Sequence, residues 1–177
     1  MPKDPVVQIG APVLRQRALP VAKKDIGSPK MRALLRRMSA TLKKEGFGVA
    51  IAAPQVGEPL RIFVISGKVF AEPDEKETPP DKVFINPEIS RLSKATREMS
   101  EGCLSVRGKY GTVIRHEKAS IRATDGQGKL FSINGAGLVA HIFQHEMDHL
   151  EGILYVDKAV KLEDDDKREE LKANHPA

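Results

Sequence analysis

Three of the five histidines in this chain recur at four-residue intervals, at His141, His145 and His149. Four residues are slightly more than one helical turn, so side chains at that spacing stack on one face. The inner pair belongs to His145-Glu146-Met147-Asp148-His149, an H-E-x-x-H segment within Gly137 to Leu150. A helix over that span points Leu138, Ile142, His145 and His149 inward and stops near Gly152. Two imidazoles on one face can grip a single cation. Glu146 beside them is placed to take a proton from a water held there. The alternative is a pair of ordinary core histidines. It is poor here, because burying these polar residues without a cation leaves them unsatisfied. The fold must therefore enclose a polar stripe and supply at least one further ligand.

Cys103, in Glu101-Gly102-Cys103-Leu104-Ser105, is the first candidate for that ligand. A thiolate with two imidazoles suits zinc or ferrous iron and leaves a fourth position open. The alternative for Cys103 is a small buried hydrophobe. The helix motif also continues as His145-Glu146-x-x-His149-x-x-Gly152-x-x-Tyr155. That is similar to the metzincin proteases except at Tyr155, where a third histidine is required. In a zincin-type protease a downstream acid, here Glu169 or Glu170, would complete the site instead.

The 177 residues suit one domain, taking about 150 residues as typical. The expected division is a single catalytic domain over 1–160 and a polar, helical tail over 161–177. Cys103 is the only cysteine, so no disulfide closes within the chain. No run of about 18 apolar residues is present, so no membrane span is expected. No signal-type apolar segment opens the chain, and a cytoplasmic location is expected. Net charge is +5 with scattered cation pairs, and aromatics are 5% with no tryptophan. Bases would find little to stack on, so no specific nucleic-acid partner is expected.

Ser28-Pro29 starts a helix that Gly46 closes. Leu60 to Ile65 reads as a buried strand, and 66–82 as an exposed loop. Val83 to Ile89 reads as a strand near an edge, because Asn86-Pro87 interrupts it. Thr112 to Thr124, a turn at 125–128 and Lys129 to Ile133 read as a hairpin. Helices and strands fall in separate runs, which makes the class α+β.

Three segments then carry a family resemblance. Gly48-Val49-Ala50-Ile51-Ala52-Ala53-Pro54-Gln55 is similar to the G-x-G-φ-A-A-x-Q of peptide deformylases. Glu101 to Ser105 is identical to their E-G-C-L-S, and Gln144 to His149 to their Q-H-E-x-D-H. The resemblance covers roughly residues 8–156 and implies antiparallel strands packed around a central metal-binding helix, with an N-terminal helix. It implies removal of formate from N-formylmethionine at the start of nascent polypeptides. One divalent metal ion would be held by Cys103, His145 and His149. That ion is commonly Fe(2+) in cells, and Zn(2+), Ni(2+) or Co(2+) can occupy the site. Glu146 would take the proton of the attacking water and return it to the leaving amine. The Gln55 amide and the Leu104 N–H would stabilise the oxyanion. Val49, Ala50, Met99, Gly102, Leu138 and Ile142 would contact substrate. Glu101, Arg115 and Asp148 are candidates to orient the histidines.

The sequence departs from the family pattern in places. Ala50 replaces the second glycine of the first segment, and Arg107 stands where the family usually has proline. Arg107 is expected to be solvated. These two changes motivate an alternative, a formyl-peptide binder with low or altered activity. His141 is expected to border the pocket without being a ligand. Some bacterial members dock on the ribosome through a basic C-terminal helix. Residues 158–177 here hold five Lys or Arg against six Asp or Glu, a net of −1, which does not support that contact.

Overall fold

The computed structural model describes residues 5–74 and 76–165. In chain order its elements are α1 (Pro29–Lys44), β1 (Ala50–Ala52), β2 (Ile62–Ile65), β3 (Lys82–Leu92), β4 (Thr96–Cys103), β5 (Val106–His116), β6 (Lys118–Thr124), β7 (Leu130–Ala136), α2 (Gly137–Leu150), α3 (Tyr155–Lys158) and β8 (Lys161–Asp164). Short 3-10 turns join several of them.

The strand over Ile62–Ile65 is wholly buried because helices cover both of its faces. Phe63 and Ile65 point into a cluster with Phe84, Ile121, Phe143 and Leu150 beneath α2. Ile62 and Val64 point the other way, to Met31, Leu34, Met38 and Leu42 of α1. The period-two alternation of a strand thus feeds two cores at once. The sheet between them has the antiparallel order β1-β2-β3-β6-β7. A second antiparallel sheet, β4-β5-β8, lies beside it. The expected α+β class holds. Helix α1 starts as expected, with the Ser28 hydroxyl accepting from the Met31 N–H at 3.1 Å.

Four local expectations change. β3 is not near an edge but sits between β2 and β6. Its Asn86-Pro87 pair is absorbed by a register shift between Ile85 and Glu88, where proline is spared a ladder bond. Asn86 stands at φ 49°, and its carboxamide accepts from the Val21 N–H and donates to the Val21 carbonyl, each at 2.8 Å.

The single strand expected over 112–124 divides at Glu117, whose N–H donates to Ala95 O. Its two parts enter different sheets, because alternation continues unbroken through a corner. The 66–82 segment is not a simple exposed loop. Val69 and Phe70 pack on the core, and the Gly67 N–H donates to Asp81 at 3.1 Å. Lastly, residues 161–164 are strand, paired with Lys109–Thr112, so the expected tail boundary falls inside a sheet. The edge of β5 accepts this short strand, and Leu162 closes over Gly111. The remainder of the expected helical tail, with Glu169 and Glu170, lies outside the described residues.

Replacing Asn86 with alanine removes both bonds to Val21 and strains a left-handed backbone. The loss should be about 3 kcal/mol, seen as a lower urea midpoint at unchanged slope. Asn86→Gly should recover the backbone part.

Candidate metal centre

The site forms where the end of β4 meets α2. Cys103 pairs with Val106, leaving Leu104-Ser105 as the turn of a tight hairpin. Glu101 and Cys103, two residues apart on one strand, both reach α2. On the helix, His145 and His149 face them with ring centroids 5.0 Å apart.

Glu101 is fully enclosed. Its Oε1 accepts from Arg115 Nε at 2.6 Å and lies 2.8 Å from His141 Nε2. Its Oε2 accepts from Arg115 Nη2 at 3.0 Å and lies 2.7 Å from His145 Nδ1. Burial pushes Glu101 up, but His141, His145 and Arg115 outweigh it and hold the carboxyl well below the usual carboxylate range. A carboxylate only accepts, so His145 carries a proton on Nδ1, which leaves Nε2 as the atom that would meet an ion. Arg115 also donates to Asp148 at 2.6 Å, and Asp148 accepts from Lys158 at 2.7 Å. The expected orienting residues Glu101, Arg115 and Asp148 are thus one connected network.

Cys103 Sγ lies 3.3 Å from His149 Nε2. The ligand atoms of Cys103, His145 and His149 all fall within 4.8 Å of one another, the metal-competent group found among the described residues. Burial pushes the Cys103 thiol up, yet His149 and His145 pull harder and hold it at about 5. Burial pushes His145 down, and Cys103 and Glu101 overcome that, raising it well above its ordinary value. One thiolate and two imidazoles converging on one point fit a divalent ion, which would take the place of the shared protons.

Glu146 is buried, with Oε2 lacking a partner among the described residues. Burial raises its pKa. His149 and His145 pull it back, while Cys103 and Glu101 add to the rise. The Gln55 carboxamide is held from behind, its Oε1 accepting from the Ala52 N–H at 2.8 Å. Its Nε2 donates to Ser105 Oγ at 3.1 Å and reaches Cys103 Sγ at 3.5 Å.

A cleft of about 490 Å³ opens onto these residues. Val49, Ala50, Gln55, Gly102, Cys103, Leu104, Leu138, Ile142, His145 and Glu146 line it, while His149 and Met99 are not among the lining residues. Met99 instead pairs with Val113 inside the second sheet. Ala50 is extended in β1, so the residue that replaced glycine is unstrained. Gly102 admits Tyr110, since a Cβ there would lie 2.9 Å from its ring.

Several residues of the cleft escaped the sequence reading. Arg107 is not simply solvated but pairs in two-pronged fashion with Glu45, at 3.0 and 3.2 Å. Both line the cleft, with Phe47 and Tyr110. Residues 107–110 line the cleft just beyond a register shift between Glu101 and Cys103, and no sequence signal marks that shift. Ser105 was visible inside its motif as a polar residue with no assigned use. Tyr155, at the metzincin position, is buried and donates to Lys109 O.

The family model for polypeptide deformylase matches residues 3–165. A peptide deformylase of Mesorhizobium japonicum is 41% identical over 165 residues, covering 93% of this chain and 89% of that one. One from Desulfitobacterium hafniense is 44% identical over 157 residues, covering 88% and 94%. The Met-Ala-Ser-bound crystal structure of the class I type b peptide deformylase of Acinetobacter baumannii superposes with a TM-score of 0.78. It is 34% identical and covers 87% of this chain and 96% of that one.

Arg115→Leu leaves Glu101 buried without its cation and should cost about 3–5 kcal/mol in urea unfolding. In metal-free protein the Cys103 thiol, held near about 5 against an ordinary 9.0, is anionic at neutral pH. Iodoacetamide labelling should therefore stay at plateau through pH 7 and fall only as the pH drops through about 5.

Proposed function

The chain belongs to the peptide deformylase family, and from that premise we propose how its cleft removes a formyl group. It is a metal-dependent hydrolase acting on the formyl amide at the start of polypeptides. Cys103, His145 and His149 would hold the ion. When bound, the ion acidifies water and polarises the formyl carbonyl as a Lewis acid. Ferrous iron is the ion we assign in the cell. The same borderline-soft donor set accepts zinc, nickel or cobalt.

Glu146 takes the proton of the attacking water and delivers it to the departing amine. Its pKa, raised first of all by burial, suits a group that must hold a proton and then release it. The Gln55 Nε2 and the Leu104 backbone N–H stand over the formyl oxygen as charge develops on it. Leu138, half exposed within the cleft, and buried Ile142 form with Val49 the slot for the methionine side chain. Ala50 and Gly102 present backbone to the peptide on either side.

The observation that carries this reading is the buried Glu146 oxygen, without a partner among the described residues, next in sequence to one of three converging ligands. A zincin-type endopeptidase, dispensing with Cys103, has no support from the family match. Intact Glu146 and Gln55 and an unstrained Ala50 favour turnover over a mere formyl-peptide binder. No described helix is long and apolar enough to cross a membrane. The cytoplasm, where a lone thiol stays reduced, suits this reading. The net charge of −1 over 158–177 gives no support to ribosome docking through the tail.

Ferrous protein prepared anaerobically, and a nickel-loaded sample, should release formate from formyl-Met-Ala-Ser. Glu146→Ala should lower that rate about 10²–10⁴-fold, and Gln55→Ala about 10²-fold. Undiminished release by Glu146→Ala would remove it from the mechanism.

A further inference from the structure

One buried polar side chain beside the site has no role in that mechanism. His141 stands one helical turn before His145 and is 9% exposed. It is not one of the converging ligands. Its Nδ1 is buried with no partner among the described residues. As packing alone, leucine would serve better, because it buries no unpaired nitrogen. What histidine adds is the 2.8 Å contact of its Nε2 with Glu101.

We infer that His141 is a positioning residue, tying β4 to α2 so that Cys103 meets the two imidazoles at the right distance. The inference rests on Cys103, His145 and His149 being the ligands. Glu101 and Cys103 lie two residues apart on one strand. His141, His145 and His149 lie four apart on one helix. His141 and His145 close on Glu101, one on each oxygen. His149 closes on Cys103 at 3.3 Å. His145 belongs to both sets, so the first clasp sets the second.

Arg115 also ties its sheet to α2, but through Asp148 in the last turn. His141 makes its tie two turns earlier. Without it, the hydrogen bond that remains between Glu101 and the helix among the described residues is that of His145, itself a ligand. The ligand would then serve as the tether as well, and its Nε2 would wander with the helix. Glu101 would also keep a buried acceptor site unfilled.

The test uses cobalt-loaded protein, read by its visible spectrum and by the rate of cobalt loss to excess chelator. His141→Leu should lose cobalt about tenfold faster and shift the ligand-field bands. His141→Gln, whose amide N–H reaches as far as the imidazole Nε2, should stay close to the parent. Thermal midpoints of the metal-free proteins separate a general loss of stability from a loss confined to the metal. Parent-like release and spectrum in His141→Leu overturn the inference, and so does equally fast release by the leucine and glutamine variants. If the leucine variant does not fold, His141→Asn, one methylene too short, replaces it in the same comparison. Cys103→Ser is the companion measurement. Retained cobalt there would topple the ligand assignment itself, whereas lost cobalt there leaves a negative result at position 141 to count against His141 alone.

Discussion

A single buried carboxylate organises this molecule. Glu101 is taken out of water almost completely, and a charge in that position is tolerable only if its acceptor sites are filled. Arg115 from the neighbouring strand and His141 and His145 from the helix fill them. Those donors come from the helix and from the second sheet, which also meet where Gln144 bonds the His116 backbone and Arg115 bonds Asp148. The position of the helix over the second sheet is therefore held by directional bonds as well as by packing. The pair with Arg115 is not in itself an argument for stability, since a buried ion pair roughly offsets its own desolvation. What it supplies is a definite geometry.

That geometry separates two carboxylates into different roles. Glu101, surrounded by donors, is held anionic and fixes the proton of His145 on Nδ1. Glu146, also buried on the same site, is pushed up, and its Oε2 has no partner among the described residues. The same residue type is a fixed support in one place and, in the proposed mechanism, the proton carrier in the other, because the surrounding groups differ. Gln55 follows the same rule. Its amide oxygen is occupied by the Ala52 N–H, so its N–H₂ is presented toward Cys103 and Ser105 rather than left to flip.

Much of the site was legible because its spacing obeys local rules. His145 and His149 had to share a helix face, and Leu138 and Ile142 had to lie on the same stripe. Cys103 was a candidate by its chemistry alone, and the strand that carries it with Glu101 emerges only in the fold. The family segments then brought Gln55 and Leu104 to the same place. The reading failed where a tertiary decision overrides a local pattern. Asn86-Pro87 reads as an edge, yet Asn86 clasps Val21 and a bulge lets the strand run through the middle of its sheet. Alternation over 112–124 cannot reveal that Glu117 turns the chain into another sheet. Met99, placed in the slot by its family position, pairs in register with Val113 and is not among the residues that line the cleft.

The sequence by itself determined that two imidazoles share one helix face with a carboxyl beside them, because a helical period holds in any context. It also determined the α+β class, because helical and alternating runs are local properties of the chain. Tertiary structure alone decided which carboxylate is anionic and which is raised, since that depends on donors arriving from distant segments. It alone decided that Arg107 meets Glu45 across the cleft rim, and that His141 turns its nitrogen to Glu101. Those contacts join residues 62 and 40 positions apart, and no local period carries that information.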